Sequence, residues 1–175
     1  MKVKQITNSN CSSYSIISSI DTCIYKIFAV LTTVIFSGLC AVVLLQVFAR
    51  IFLDSSPVWT EELSRYLFIF SIAFAIGIAY RNGEMVAVDM LFDRLNGKNK
   101  LLYTLLINFM VIGFICMLLN PSYQFMKIGQ FQTSPTLRIG MSYIYASSLI
   151  SFSNILFFAV IKVLKTMIKL IAKEY

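Results

Sequence analysis

The sequence predicts an all-α integral membrane protein with four transmembrane helices, a short amphipathic helix at the inner interface, and both termini in the cytoplasm. Three observations carry this. First, 58% of the 175 residues are hydrophobic and only 13% charged, with a mean hydropathy of +0.80, far from the balance of a water-soluble domain. Second, the chain contains uncharged runs of membrane-spanning length, since a hydrocarbon core about 30 Å thick needs roughly 20 residues at 1.5 Å rise. Third, 11 of the 15 basic residues fall at the two ends of the chain and in the second connection, the segments that the positive-inside tendency assigns to the cytoplasm.

The first span is read at 27–49, with 23 uncharged residues. It is preceded by a polar segment, 1–12, and by Tyr14, Ile17, Ile20, Ile24 and Ile27 at helical spacing among serines. That pattern fits either a separate interfacial helix or an irregular tail. The apolar run is too long for a signal-peptide core and no small-x-small cleavage pattern follows it, so it is expected to persist in the mature chain. Cys40 follows a leucine, which argues against lipoprotein processing there.

The second span, 58–80, opens with Ser56-Pro57, read as a serine cap with proline at the first helical position. Its first turns carry Glu61, Glu62 and Arg65, and the Glu61 to Arg65 spacing favours an intrahelical ion pair. Arg81-Asn82-Gly83 ends it. Residues 84–95 are too short and too charged to span. Met85, Val88, Leu91, Phe92 and Leu95 share one face with Asp89 and Asp93 opposite, as in a helix lying flat at the interface. Its acidic polar face suits a protein partner better than anionic lipid.

The third span, 101–126, meets Asn120-Pro121 near its outer end, where proline is expected to kink or stop the helix. Ser134-Pro135 repeats the Ser56-Pro57 pair, a hint of two duplicated hairpins. The fourth span, 139–161, continues without a breaker into an extension at 162–173. There Lys162, Lys165, Lys169 and Lys173 form a basic stripe opposite Leu164, Met167, Ile168 and Ile171, expected to meet lipid headgroups.

The chemistry that is missing narrows the function. The chain has no histidine, which removes bis-histidine haem ligation, histidine-based metal sites and the usual proton shuttle. Cys11 and Cys23 fall on the expected reducing side, while Cys40 and Cys116 lie within spans, so paired thiols facing an oxidising compartment are not available. No acidic residue occupies the middle of a span, which argues against a self-sufficient proton-coupled exporter. Gln46, Asn108 and Asn154 are read as interhelical hydrogen-bonding groups. No phosphate loop is present, and the net charge of +7 follows from membrane orientation, so nucleic acid is not an expected partner. No catalytic residue, metal site or cofactor is expected. A membrane-anchored assembly factor, or a small channel or membrane enzyme acting alone, is the alternative class.

Arg50, the stretch Pro57-Val58-Trp59-Thr60-Glu61-Glu62-Leu63-Ser64-Arg65-Tyr66, and the run Arg81-Asn82-Gly83-Glu84-Met85-Val86-Ala87-Val88-Asp89 together resemble the small membrane subunit, DctQ type, of tripartite ATP-independent periplasmic (TRAP) transporters. Met85 stands where members often carry histidine. The resemblance implies a multi-pass protein of the bacterial inner membrane, a scaffold bound tightly to a large membrane subunit. A periplasmic solute-binding protein would engage transiently, and sodium-coupled uptake of an organic acid, dicarboxylate or sialic acid, would be carried by the other two components. The expected contact residues are Arg50, Pro57, Trp59, Glu61, Glu62, Arg65, Asp89 and Asp93.

Overall fold

A computed structural model describes the backbone of residues 2–52, 57–84 and 98–171, and the side chains of 17–52, 57–84 and 102–168. Four long helices make up the described chain: α1 (Lys2–Phe52), α2 (Val58–Asn82), α3 (Lys98–Ile128) and α4 (Met141–Ile171). All four contain stretches long and apolar enough to cross a membrane, so the protein is an all-α integral membrane protein. The interfacial helix expected at 84–95, with Asp89 and Asp93, lies outside the described residues.

Two expectations about helix ends need correction. The segment before the first span is neither a separate interfacial helix nor an irregular tail: α1 is one uninterrupted helix of 51 residues. Threonines within it are accommodated by bonding back one turn: Thr22 donates to the Ser18 carbonyl and Thr33 to the Ala29 carbonyl, both at 2.8 Å. Nor does Pro121 stop or end α3, which runs through it for seven more residues to Ile128. Proline costs a helix one donor and a local clash, and here packing against α4 offsets that cost. Ser122 and Ser148 share a hydrogen bond of 2.8 Å, the Phe125 and Tyr145 rings stack at 4.1 Å, and Gly129 sits tight against the backbone of Ser142.

The start and end of α2 follow from local chemistry. Pro57, expected at the first helical position, instead occupies the cap with extended backbone, so the helix starts one residue later, and the Pro57 carbonyl accepts from the Thr60 hydroxyl at 2.7 Å and the Thr60 amide at 3.0 Å. At the other end Gly83 adopts the left-handed conformation, φ 79°, and its amide donates back to Ala79 and Tyr80. That is the glycine stop the Asn82-Gly83 pair announces.

The helices associate side by side. Helix α2 packs between α1 and α4, and α4 packs between α2 and α3, so α1 and α3 are the outer members. The core gathers around Phe158 and Ala159 of α4, with Tyr80 of α2 and Ile115 of α3; Phe28 of α1 reaches it, its ring 5.8 Å from Phe74 and 6.3 Å from Phe158. Close approach of α2 to α4 depends on Gly77, whose missing Cβ would fall 2.7 Å from Oδ1 of Asn154 and 3.0 Å from the Phe158 ring. Small residues and buried amides are what membrane helices use to associate, since lipid gives them no hydrophobic drive. Asn154 is buried and donates to the carbonyls of Ala73 and Phe74 at 3.3 and 3.4 Å. Asn108 accepts from the Tyr80 hydroxyl and donates to the Thr104 carbonyl at 2.6 Å. Asn108 and Asn154 are therefore interhelical hydrogen-bonding groups, as expected.

Candidate functional site

Every charged side chain described within the four helices lies toward one end or the other of the bundle. From Glu61 to Arg81 along α2 is 20 residues, or about 30 Å at 1.5 Å per residue, the thickness of a hydrocarbon core. The two charged clusters thus sit one membrane thickness apart.

At the end formed by the α1–α2 and α3–α4 connections, the acidic pair of α2 divides its work. Glu61 faces α1 and pairs with Arg50 at 3.8 Å, both side chains largely exposed at 52% and 68%. So open a pair contributes little to stability. The expected Glu61–Arg65 pair does not form among the described residues; Arg65 instead turns with Glu61 toward a groove of about 860 Å³ between α1 and α2, where Gln46 and Phe68 also lie.

Glu62 points the other way, into the α3–α4 connection. Its carboxylate accepts from the Ser134 hydroxyl and from the amides of Leu137, at 3.0 Å, and Thr136, at 3.4 Å. The connection is a closed loop, with an antiparallel bridge between Thr133 and Gly140 and hydrogen bonds of 2.9 Å from Ser134 to Ile139 and from Met141 to Gln132. Within it Arg138 is held at φ 53°, a conformation that non-glycine residues adopt only when their surroundings impose it. Glu62 is the anchor. Ser134-Pro135 therefore does not repeat Ser56-Pro57: Ser134 is buried under α2, and α4 begins only at Met141. Replacing Glu62 by alanine should free this loop, raising hydrogen exchange at the Leu137 amide by about an order of magnitude as local opening becomes easier. Unchanged exchange at Thr136 and Leu137 would show the loop to be self-supporting.

At the opposite end Asp21, which the sequence reading did not single out, ties three helices. Its side chain, only 4% exposed, accepts from Nε of Arg81 (α2) at 3.1 Å through both oxygens, and from Nζ of Lys165 (α4) at 2.6 Å. Arg81 also lies over the Tyr25 ring, 4.2 Å from its centre, and the Lys162 ammonium lies 5.3 Å from the centre of Tyr80. The lysine stripe is thus turned differently from the expectation that all four meet headgroups: Lys162 and Lys165 face the bundle while Leu164 and Met167 are exposed. An unpaired Asp21 could not stay buried, so it draws Lys165 inward. The Lys169 side chain and Lys173 lie outside the described residues. Trp59, at the first turn of α2, is exposed.

No group of three or more metal-binding side chains occurs among the described residues. The sequence carried one available signal for the Asp21 cluster: Asp21 is the sole acidic residue before Asp54 and lies six residues before the first span.

Residues 39–169, 131 of the 175, match the family model described as tripartite ATP-independent periplasmic transporters, DctQ component. The chain belongs to this DctQ family. Among its relatives is the isethionate TRAP transporter permease protein DctMQ of Oleidesulfovibrio alaskensis, 29% identical over 87 residues, which are 49% of this chain but only 14% of that much longer protein. Another is a chain of Haemophilus influenzae named as a TRAP transporter small permease protein, 24% identical over 116 residues, covering 66% of this chain and 70% of the relative. This DctQ-family chain is a multi-pass membrane protein.

Proposed function

We propose that this chain is the scaffolding subunit of a sodium-coupled importer of an organic acid, of the dicarboxylate or sialic acid class, in the bacterial inner membrane. The single observation that carries the reading is the charge distribution of a DctQ-family bundle: α1 has no charge between Lys26 and Arg50, α2 none between Arg65 and Arg81, α3 none between Lys100 and Lys127, and α4 none before Lys162. Such spans pack and anchor, whereas coupling an ion to a cargo calls for titratable or ion-coordinating groups at depth. The end carrying both termini and the Asp21 cluster faces the cytoplasm.

A large membrane subunit supplies the transport path. Support for it comes from the Oleidesulfovibrio alaskensis relative, in which the matched stretch is a minor part of one long permease chain. The contacts to that subunit are made at the outer end by the exposed Trp59, Arg50, Glu61 and Arg65 around the α1–α2 groove, and at the cytoplasmic end by Asp89 and Asp93 of the second connection. Pro57 and Glu62 act inside the chain, starting α2 and holding the α3–α4 loop. A periplasmic solute-binding protein delivers the solute at the outer end.

The test is co-purification and reconstitution. The tagged chain should retain a much larger, many-helix membrane protein through detergent extraction. Liposomes containing both, given the binding protein and an inward sodium gradient, should accumulate the solute. Uptake by liposomes holding this chain alone would overturn the scaffold reading.

A further inference from the structure

We propose that the Asp21 cluster forms a binding site for a phosphate-bearing anion, taken up by Arg81, Lys162 and Lys165 at the end of the bundle that carries the termini. The inference does not depend on the importer reading. A cavity of about 230 Å³ opens there, lined by Asp21, Arg81, Phe158, Ile161, Lys162 and Lys165. Three cations and one carboxylate line it, which leaves an excess of two positive charges around a partly enclosed space. The carboxylate is spoken for, since Arg81 and Lys165 contact it directly at 3.0 and 2.6 Å. Lys162 has no carboxylate opposite it among the described residues, and its ammonium is held over Tyr80.

The donors left over select the ligand. Arg81 keeps N–H groups of its planar guanidinium beyond those given to Asp21, Lys165 keeps two of its three, and Lys162 keeps all three, so several donors converge on one small volume. A tetrahedral oxyanion with several acceptors matches this better than a single carboxylate, and guanidinium with ammonium is the usual pairing for phosphate. Asp21 has a defined part in the site: it draws Arg81 and Lys165 to one point and keeps them from repelling one another, while its own charge stays covered. Phe158 and Ile161 add an apolar part to the cavity lining. Phosphate on a lipid headgroup and free phosphate share the recognised chemistry, and the experiment separates them.

The full chain in detergent micelles is titrated with phosphatidylglycerol carrying a fluorescent acyl chain. Lys162→Gln should weaken binding about fivefold, the effect of one basic residue at a membrane surface. Lys162→Arg should restore binding, and Lys127→Gln, at the far end of the bundle, should leave it unchanged. Displacement of the lipid by millimolar inorganic phosphate assigns the site to the phosphate group whatever its carrier. Lys162-dependent binding that phosphate cannot displace assigns it to the lipid. Equal binding by the wild type and by Lys162→Gln overturns the proposal.

Discussion

Replacing Asp21 by alanine should destabilise the bundle by about 2–3 kcal/mol, the largest loss expected from any single charged residue described. Removing one member of a buried ion pair costs more than the pair contributes, because the remaining charges are left without compensation, typically by 3–5 kcal/mol when they are fully buried. Arg81 and Lys165 are 28% and 24% exposed, so they can turn partly toward water or headgroups, which reduces the penalty. A loss of this size lowers the melting temperature of a chain this long by about 5–10 °C. The measurement is a thermal scan of the detergent-solubilised protein, following the fluorescence of Trp59. Lys165→Met should cost less than Asp21→Ala, because Arg81 still faces the carboxylate. An unchanged transition for Asp21→Ala would show that the three helices are held by apolar packing alone.

Replacing Gly77 by valine should separate α2 from α4 and cost about 2–3 kcal/mol, the upper part of the range of about 1–3 kcal/mol for overpacking a tight contact. Even the Cβ of alanine would meet Asn154 at 2.7 and 2.8 Å and the Phe158 ring at 3.0 Å. Neither neighbour can yield freely. Asn154 is fixed by the carbonyls of Ala73 and Phe74, and Phe158 is among the most buried large side chains in the protein. In an unconstrained helix, alanine would be favoured over glycine by up to about 1 kcal/mol, so the sign of the Gly77→Ala change tests whether contact or propensity decides at this position. Destabilisation is expected. Thermal scans of both variants, with cross-linking between α2 and α4, would check it. A more stable Gly77→Ala protein would mean that the two helices have room to spare.

Spans, stops and excluded chemistry are legible in the sequence because each depends on residues close together. The long uncharged runs mark α1, α3 and α4, Asn82-Gly83 marks the end of α2, and the lack of histidine removes whole classes of site. Local signals mislead where a neighbour from another helix outweighs them. Pro121 reads as a stop, yet α3 continues because Ser122, Phe125 and Gly129 find partners on α4. Glu61 and Arg65 have the spacing of an ion pair, yet Arg50 on the preceding helix claims Glu61. Lys162 and Lys165 read as a stripe for headgroups, yet Asp21, more than 140 residues away, turns Lys165 inward.

By itself, the sequence determined that this is a four-span, all-helical membrane chain whose spans carry no titratable group at mid-depth, because hydrophobic length and residue type suffice for that. Its resemblance to the DctQ type rested on the motif around Arg50, Trp59 to Arg65 and Arg81 to Asp89. Only the tertiary structure decided what the charges at the ends do: Glu62 fastens the α3–α4 loop, Arg50 meets Glu61, and Asp21 gathers Arg81 and Lys165. The physical reason is that an ion pair or a carboxylate-anchored loop forms only between groups within about 4 Å, a condition set by which helix packs on which. In a bilayer that choice depends on close fits such as Gly77 against Asn154, not on the overall greasiness that defines the spans.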